Sequence, residues 1–278
     1  MLLINTEIKE NLKLPYLALL VGMFAISTSA ILIRYSNSEP LVIGTYRQAF
    51  ATLAFLPFIF KDRGAEISSQ SNSTLLEMAL TGILLGAHFS FFITSVKETS
   101  VAASVLLATC HVVYVAILGK IFFGETLSKK AIIGTTIALG GILVLFGGDL
   151  IDNPGNFKGN FYAFVAGVLA GLYYLSGRKL RRTISLPTYA FVVYLFSFIS
   201  MFTVVLIQNL NYENLPISEI RLFLLMALIP TLLGHTMQNW AIGYLPAYVV
   251  SISLLAEPIG SGLLALSLIH ISEPTRHR

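Results

Sequence analysis

Apolar stretches of near-spanning length recur along this chain from residue 15 to residue 269, separated only by short polar punctuation. A bilayer-crossing helix needs about 20 mainly apolar residues, and inside lipid only helices and closed barrels satisfy their own backbone. The runs are continuous rather than alternating, so the spacing predicts helices and not a barrel. Charged residues make up 12% of the chain and the mean hydropathy is +0.78. These properties predict an all-α polytopic membrane protein of the cell membrane and exclude most soluble enzyme classes. Attention therefore falls on the polar groups left inside the bilayer.

The expected spans lie at 15–34, 41–60, 75–95, 100–122, 131–147, 159–177, 187–208, 222–243 and 247–269, about nine in all. The first follows a polar leader, NTEIKENLKLP, without a small-residue cleavage pattern after it, and reads as a retained helix. The single cysteine, Cys110, falls inside a span and offers neither a disulfide nor a thiol metal cluster. The net charge of +4 does not gather into a nucleic-acid-binding stripe. It segregates by side instead. With the amino terminus cytoplasmic, Lys9, Lys13, Lys61, Arg63, Lys120, Lys129, Lys130 and the cluster Arg178, Lys179, Arg181 and Arg182 all fall inside. Arg34, Lys97, Lys158 and Arg221 fall outside, which is the bias expected of short cytoplasmic loops. The 178–182 cluster serves as a topology anchor or as a contact for anionic membrane lipid.

The chain echoes itself. GAHFSFFITSVKETSVAASVLLATCHV resembles LGHTMQNWAIGYLPAYVVSISLLAEPI, pairing His88 with His235 and Leu106-Leu107-Ala108 with Leu254-Leu255-Ala256 after one residue of slippage. Five helices per unit is an odd number, so the second copy enters the membrane in the opposite sense. The expected organisation is therefore two inverted five-helix repeats: the first at 15–147, an external linker at 148–158, and an incomplete second at 159–266. The tail at 267–278 reads as foreign to the pattern, leaving the second repeat truncated before its last helix. Inverted repeats suit transporters, because rocking one half against the other alternates access to a midplane site.

Four segments carry a family resemblance. Tyr46-Arg47 leads into QAFATLAFLP; Phe123-Gly124-Glu125-Thr126-Leu127 precedes the glycine-rich GTTIALGGILVLFGG; Gly234-His235-Thr236 runs to Asn239-Trp240-Ala241; and Leu255-Ala256-Glu257-Pro258 follows. In order and spacing these resemble EamA-type transporters of the drug/metabolite transporter superfamily. The resemblance implies ten helices in two inverted repeats and movement of small metabolites, amino acids or drugs, often outward. It supplies no substrate. The chain departs from it in lacking a tenth helix and a second glycine–glutamate motif.

Individual polar residues give the candidate site. Arg47 sits roughly 10 Å below the outer boundary at 1.5 Å per residue. A charge at that depth either snorkels or pairs, with Glu98 for example, or it draws the anionic group of a substrate. Glu257 lies near mid-span beside Pro258, which removes a backbone donor and frees carbonyls at the same depth. It suits substrate or proton handling, or a structural pairing between helices. His88, His111 and His235 can bond across helices or touch substrate, and no metal-ligand pattern accompanies them. Gln238, Asn239 and Trp240 form the most polar piece of the eighth span, with Trp240 equally suited to an interfacial anchor; Tyr46 and Tyr114 are lesser cavity candidates. Gly124 and Glu125 read as structural, with Lys129 and Lys130 offsetting the carboxylate. Gly134, Gly140 and Gly141 permit close helix contact, inside one chain or across a homodimer seam.

The leading expectation is a gradient-driven secondary transporter of a small-molecule substrate, with a proton or counter-substrate as coupling species and no cofactor. GxxxxGK[ST] is absent from the sequence, so direct ATP binding is not expected. An intramembrane enzyme acting on a lipid or isoprenoid head group is the rival, with His88, His111 and Glu257 catalytic. A channel is disfavoured because no filter-like run is found.

Overall fold

The structure, a computed structural model, describes residues 13–152 and 154–272. Lys9, most of the leader, Asn153 and the last part of the tail, including Glu273, lie outside the described residues. The chain folds as a bundle of long helices: α1 (Lys13–Tyr35), α2 (Pro40–Lys61), α3 (Asn72–Glu98), α4 (Val101–Phe123), α5 (Lys129–Asp152), α6 (Phe157–Leu180), α7 (Leu186–Ile207), α8 (Ile217–Ala241) and α9 (Ala247–Leu264). Among the described residues seven of these, all but α5 and α6, are long and apolar enough to cross a membrane. The protein is thus an all-α, multi-pass membrane protein. Helices α5 and α6, each of 24 residues, occupy the positions of the fifth and sixth expected spans. The last helical segment runs on from Glu257 through Ser272.

Local chemistry sets the helix ends. Ser71 and Ser100 accept from the backbone N–H of Thr74 (3.2 Å) and Ala103 (3.1 Å), satisfying one of the open donors at the starts of α3 and α4. Pro40 and Pro187 occupy first-turn positions, where the missing N–H costs nothing. Gly124 ends α4 at φ +66°, a left-handed conformation that a Cβ would strain.

Large apolar side chains also point outward, Phe24, Ile83, Phe122, Ile137, Val144 and Ile207 among them, as a lipid-facing surface requires. The most extensive packing joins α3 to α6 and α7 to both α2 and α3. Small residues permit it: a Cβ on Gly86 would meet the Ser197 carbonyl at 3.0 Å, and one on Gly167 would meet the Ala108 carbonyl at 2.7 Å. The glycines of α5 behave otherwise. Among the described residues Gly134, Gly140 and Gly141 have no neighbouring atom within 4 Å of an added Cβ.

Polar bonds gather at the two ends of the bundle. At one end, Glu219 at the start of α8 accepts from Ser36 Oγ, from the Asn37 N–H (3.0 Å) and from Ser38 Oγ (2.8 Å). Lys97 donates to the Ser36 carbonyl, Arg34 to the Thr99 carbonyl, and Tyr46 to the Tyr212 carbonyl (2.8 Å). Glu98 pairs with Lys158 at 3.5 Å. It is therefore not the partner of Arg47: the end of α3 points it to the bundle rim.

At the other end, Glu125 is bonded by Arg178 Nε (2.8 Å) and by the backbone N–H of Ala247 (2.9 Å). The expected offset by Lys129 and Lys130 is replaced by this buried pair. Glu125 does hold a helix start, but that of α9 rather than of α5. The 178–182 cluster bonds within the chain: Lys179, itself exposed, bonds Glu77 (2.6 Å), buried Arg181 donates to the Asn239 carbonyl (3.0 Å) and to that of Ile184, and exposed Arg182 lies over the Phe123 ring. Burial lowers the Arg181 guanidinium below its usual value, and the two carbonyls take up its donors.

Candidate functional site

Three helices break at the centre of the bundle. In α1 the break is at Thr28, whose hydroxyl turns back to the Ala25 carbonyl (2.7 Å). In α4 it is at Thr109–Cys110, and in α9 it is the tight turn Leu254–Ala256 just before Glu257 and Pro258. Helix α8 is distorted as well. It contains a wide, π-helical stretch at Ala227–His235 around Pro230, where a missing N–H prevents regular α-helical bonding. The wider turn lets Thr231 bond the Met226 carbonyl (3.0 Å) and Thr236 bond that of Thr231 (3.2 Å).

These irregular segments meet around a cavity of about 40 Å³, room for a water or two. His88 and Phe89 of α3, Thr109 and His111 of α4, His235 of α8 and Glu257 of α9 face it. Ser29 of α1, Phe92 of α3 and Tyr174 of α6 complete the part of the wall that matters chemically. Each histidine reaches it by a defined contact. His88 Nδ1 lies 2.8 Å from the Ala166 carbonyl, and His111 Nδ1 lies 2.9 Å from that of Ala108. The His88 and His235 ring centroids are 6.4 Å apart, and the His235 ring meets Phe89 edge-on at 5.1 Å. His111 stacks on Tyr174 at 5.5 Å. Glu257 is 8% exposed, and its carboxylate has no hydrogen-bond or ion-pair partner among the described residues.

Arg47 stands immediately behind this wall and is fully buried. Its Nε donates to Thr231 Oγ1 (2.6 Å), its Nη1 to Ser29 Oγ (3.0 Å), and its guanidinium carbon lies 4.2 Å from the Phe89 ring centre. Nη2 has no partner. Arg47 and Glu257 form no ion pair. Ser29 and Phe89 both touch the guanidinium and line the cavity.

The remaining sequence candidates fall elsewhere. Tyr114 is drawn to Cys110 Sγ (3.5 Å), and Tyr46 to the bundle rim. Gln238 faces α1 through the Leu19 carbonyl (3.4 Å). Asn239 accepts from Tyr173 (2.6 Å) and donates to Tyr194 (3.4 Å), part of a tyrosine network beside the cavity. Trp240 packs on Tyr244, near the end of its helix. Sequence reasoning missed Ser29, Phe89, Thr109, Tyr174 and Thr231. For Thr231, Pro230 beside it inside an apolar span was the available signal. Among the described residues no group of three or more histidine, cysteine or carboxylate side chains is placed to hold a metal.

The chain belongs to the EamA-like transporter family, whose model matches residues 13–147 and 157–272. It is similar to an uncharacterized transporter of Archaeoglobus fulgidus, 29% identical over 122 residues, which is 44% of this chain and 42% of that protein. The match therefore spans less than half the length of the archaeal relative. It is also similar to the uncharacterized transporter YyaM of Bacillus subtilis, 23% identical over 238 residues, covering 83% of this chain and 77% of that one. A solved crystal structure shares the fold at a TM-score of 0.67, covering 91% of this chain and 88% of the other at 18% identity.

Proposed function

We propose that this protein is a secondary transporter that moves a small organic metabolite across the cell membrane, outward, by alternating access of two inverted halves. The observation that carries the reading is the unpartnered Glu257 carboxylate, buried beside a helix break and facing a cavity where six helices meet. An ionisable group is costly at such depth and is characteristic of substrate or ion pathways. Family membership supports transport, and a family model that matches twice, on either side of residues 148–156, supports a repeat. In this reading α5 and α6 also cross the membrane, and the end carrying Glu125 and Arg178 faces the cytoplasm together with the amino terminus.

Glu257 takes the coupling role: it binds either a proton or the substrate's polar group as access alternates. Arg47 sets the field in which it does so, held by Thr231 and Ser29. The polar contacts of Glu219 and of Glu125 lie at opposite ends of the bundle, where opening and closing would occur.

Flux of a labelled metabolite panel into and out of proteoliposomes tests the function. Gradient-dependent movement of one compound is the expected result, and a lipid head group turned over without any flux would replace transport by enzymology. Reporter fusions at Gly64 and Lys129 should read cytoplasmic and one at Asn211 external; Gly64 and Lys129 on opposite faces would break the span order.

A further inference from the structure

The hydrogen-bonding state of the cavity wall narrows the ligand. A carbonyl oxygen only accepts, so the Nδ1 atoms of His88 and His111 must donate to Ala166 and Ala108. Both neutral rings are thereby fixed as the tautomer whose Nε2 carries a lone pair. His111 Nε2 is buried and has no partner among the described residues, in a residue only 3% exposed that lines the cavity. Thr109 spends its hydroxyl proton on the Leu106 carbonyl (2.7 Å), which leaves its oxygen lone pairs free. Glu257, when ionised, only accepts. Three helices therefore carry lone-pair acceptors on residues that line one small space, together with the rings of Phe89, Phe92 and Tyr174. Ser29 and Tyr174 have hydroxyls that can serve either way, and the tautomer of His235 is not fixed by any bond.

We infer that the cavity is a binding site for a primary ammonium group, taken up by Glu257, His88, His111 and Thr109 and enclosed by aromatic faces. The –NH₃⁺ group is about the size of a water molecule and presents three donors and no acceptor, the complement of this wall. Aromatic faces favour a cation over a neutral hydroxyl of the same size. Arg47 is not part of the cavity wall, and its Nε and Nη1 are held by Thr231 and Ser29, while its Nη2 has no partner among the described residues. A carboxylate ligand, by contrast, would face four lone-pair groups at close range.

The use of the site in transport rests on the reading above, but binding can be tested without flux. The purified full chain in lipid nanodiscs is titrated calorimetrically with isopropylammonium, trimethylammonium, isopropanol and acetate, which share a heavy-atom count and differ in charge and donors. Isopropylammonium should bind about 10- to 100-fold more tightly than trimethylammonium, the factor expected of one or two lost charge-assisted hydrogen bonds. His111→Phe, which keeps a ring and removes the acceptor, should weaken isopropylammonium about tenfold and trimethylammonium little. Glu257→Gln should weaken both cations; if that variant does not fold, His111→Phe carries the test. Equal affinity for the two cations, tighter binding of acetate, or no binding of isopropylammonium would each overturn the assignment. Isopropylammonium that binds but never crosses a proteoliposome membrane leaves the site standing and counts against transport. Flux of another metabolite without ammonium binding does the reverse.

Discussion

Helices α4 and α9 approach the cavity from opposite ends of the bundle and break at the same depth, one at Thr109–Cys110 and the other at Leu254–Ala256. They differ in what the break leaves free. In α4 the loose carbonyls are covered by its own side chains, Leu106 by Thr109 and Ala108 by His111. In α9 no side chain turns back in this way onto Leu254, Leu255 or Ala256 among the described residues; Pro258 follows the turn and the Glu257 carboxylate stays unbonded. The two helices share a backbone device, and only one of them supplies a charge. The break is therefore shared architecture, and the carboxylate is what α9 adds to it.

Substituting Glu257 tests this asymmetry most severely. Glu257→Gln keeps the size of the side chain and removes its titration. Driven flux in proteoliposomes should fall to that of protein-free vesicles, while exchange between equal compartments persists. A well-folded variant that retains the parental driven rate would show that α9, like α4, contributes only shape.

The two helices are also joined. Glu125, just past the end of α4, accepts from the Ala247 N–H at the start of α9 and from Arg178, with side chains only 6% and 12% exposed. Removing one partner of a buried pair leaves the other desolvated and typically costs about 3–5 kcal/mol. Glu125→Ala should accordingly lower the melting temperature and the yield of folded protein sharply. Unchanged thermal stability in detergent would mean that α4 does not hold α9.

A smaller effect is expected at the break itself. Pro258→Ala restores a backbone donor just after the turn and allows α9 to straighten. Flux should fall severalfold as Glu257 turns away from the cavity, with folded yield preserved. Equal flux would place the origin of the break elsewhere, in Leu254–Ala256 or in the packing of α1.

Much of this was legible beforehand, because cost in lipid is a sequence property. The apolar runs gave the helices, the pairing of His88 with His235 brought two cavity residues together, and the depth of Glu257 marked it out. What failed was direction around the helix. Arg47 was open to a pairing with Glu98, yet α3 ends at the rim and carries Glu98 to Lys158. Glu125 was matched to neighbouring lysines, whereas its partner Arg178 comes from α6, far along the chain. Phe89, Thr109 and Tyr174 gave no warning, since aromatic and hydroxyl residues within an apolar span are cheap wherever they point.

The smallest expected effect lies at the other end of α4. Lys158 and Glu98 meet at 3.5 Å just before α4 begins, with side chains 63% and 42% exposed. Two long side chains must be ordered in high dielectric to form such a pair, and screening by salt erodes the attraction, so exposed pairs contribute about 0–1 kcal/mol. The bond of Arg34 to the Thr99 carbonyl and the hydroxyl contact between Thr99 and Asn160 (2.7 Å) already fix this corner. Lys158→Gln should shift the melting temperature by about a degree or two at low ionic strength, and by less at high salt. Placed beside Glu125→Ala under the same conditions, it separates a rim contact from a buried clamp. A loss from Lys158→Gln as large as that from Glu125→Ala would mean that both ends of α4 are held electrostatically, and that the contrast with α9 begins at the helix ends rather than at the cavity.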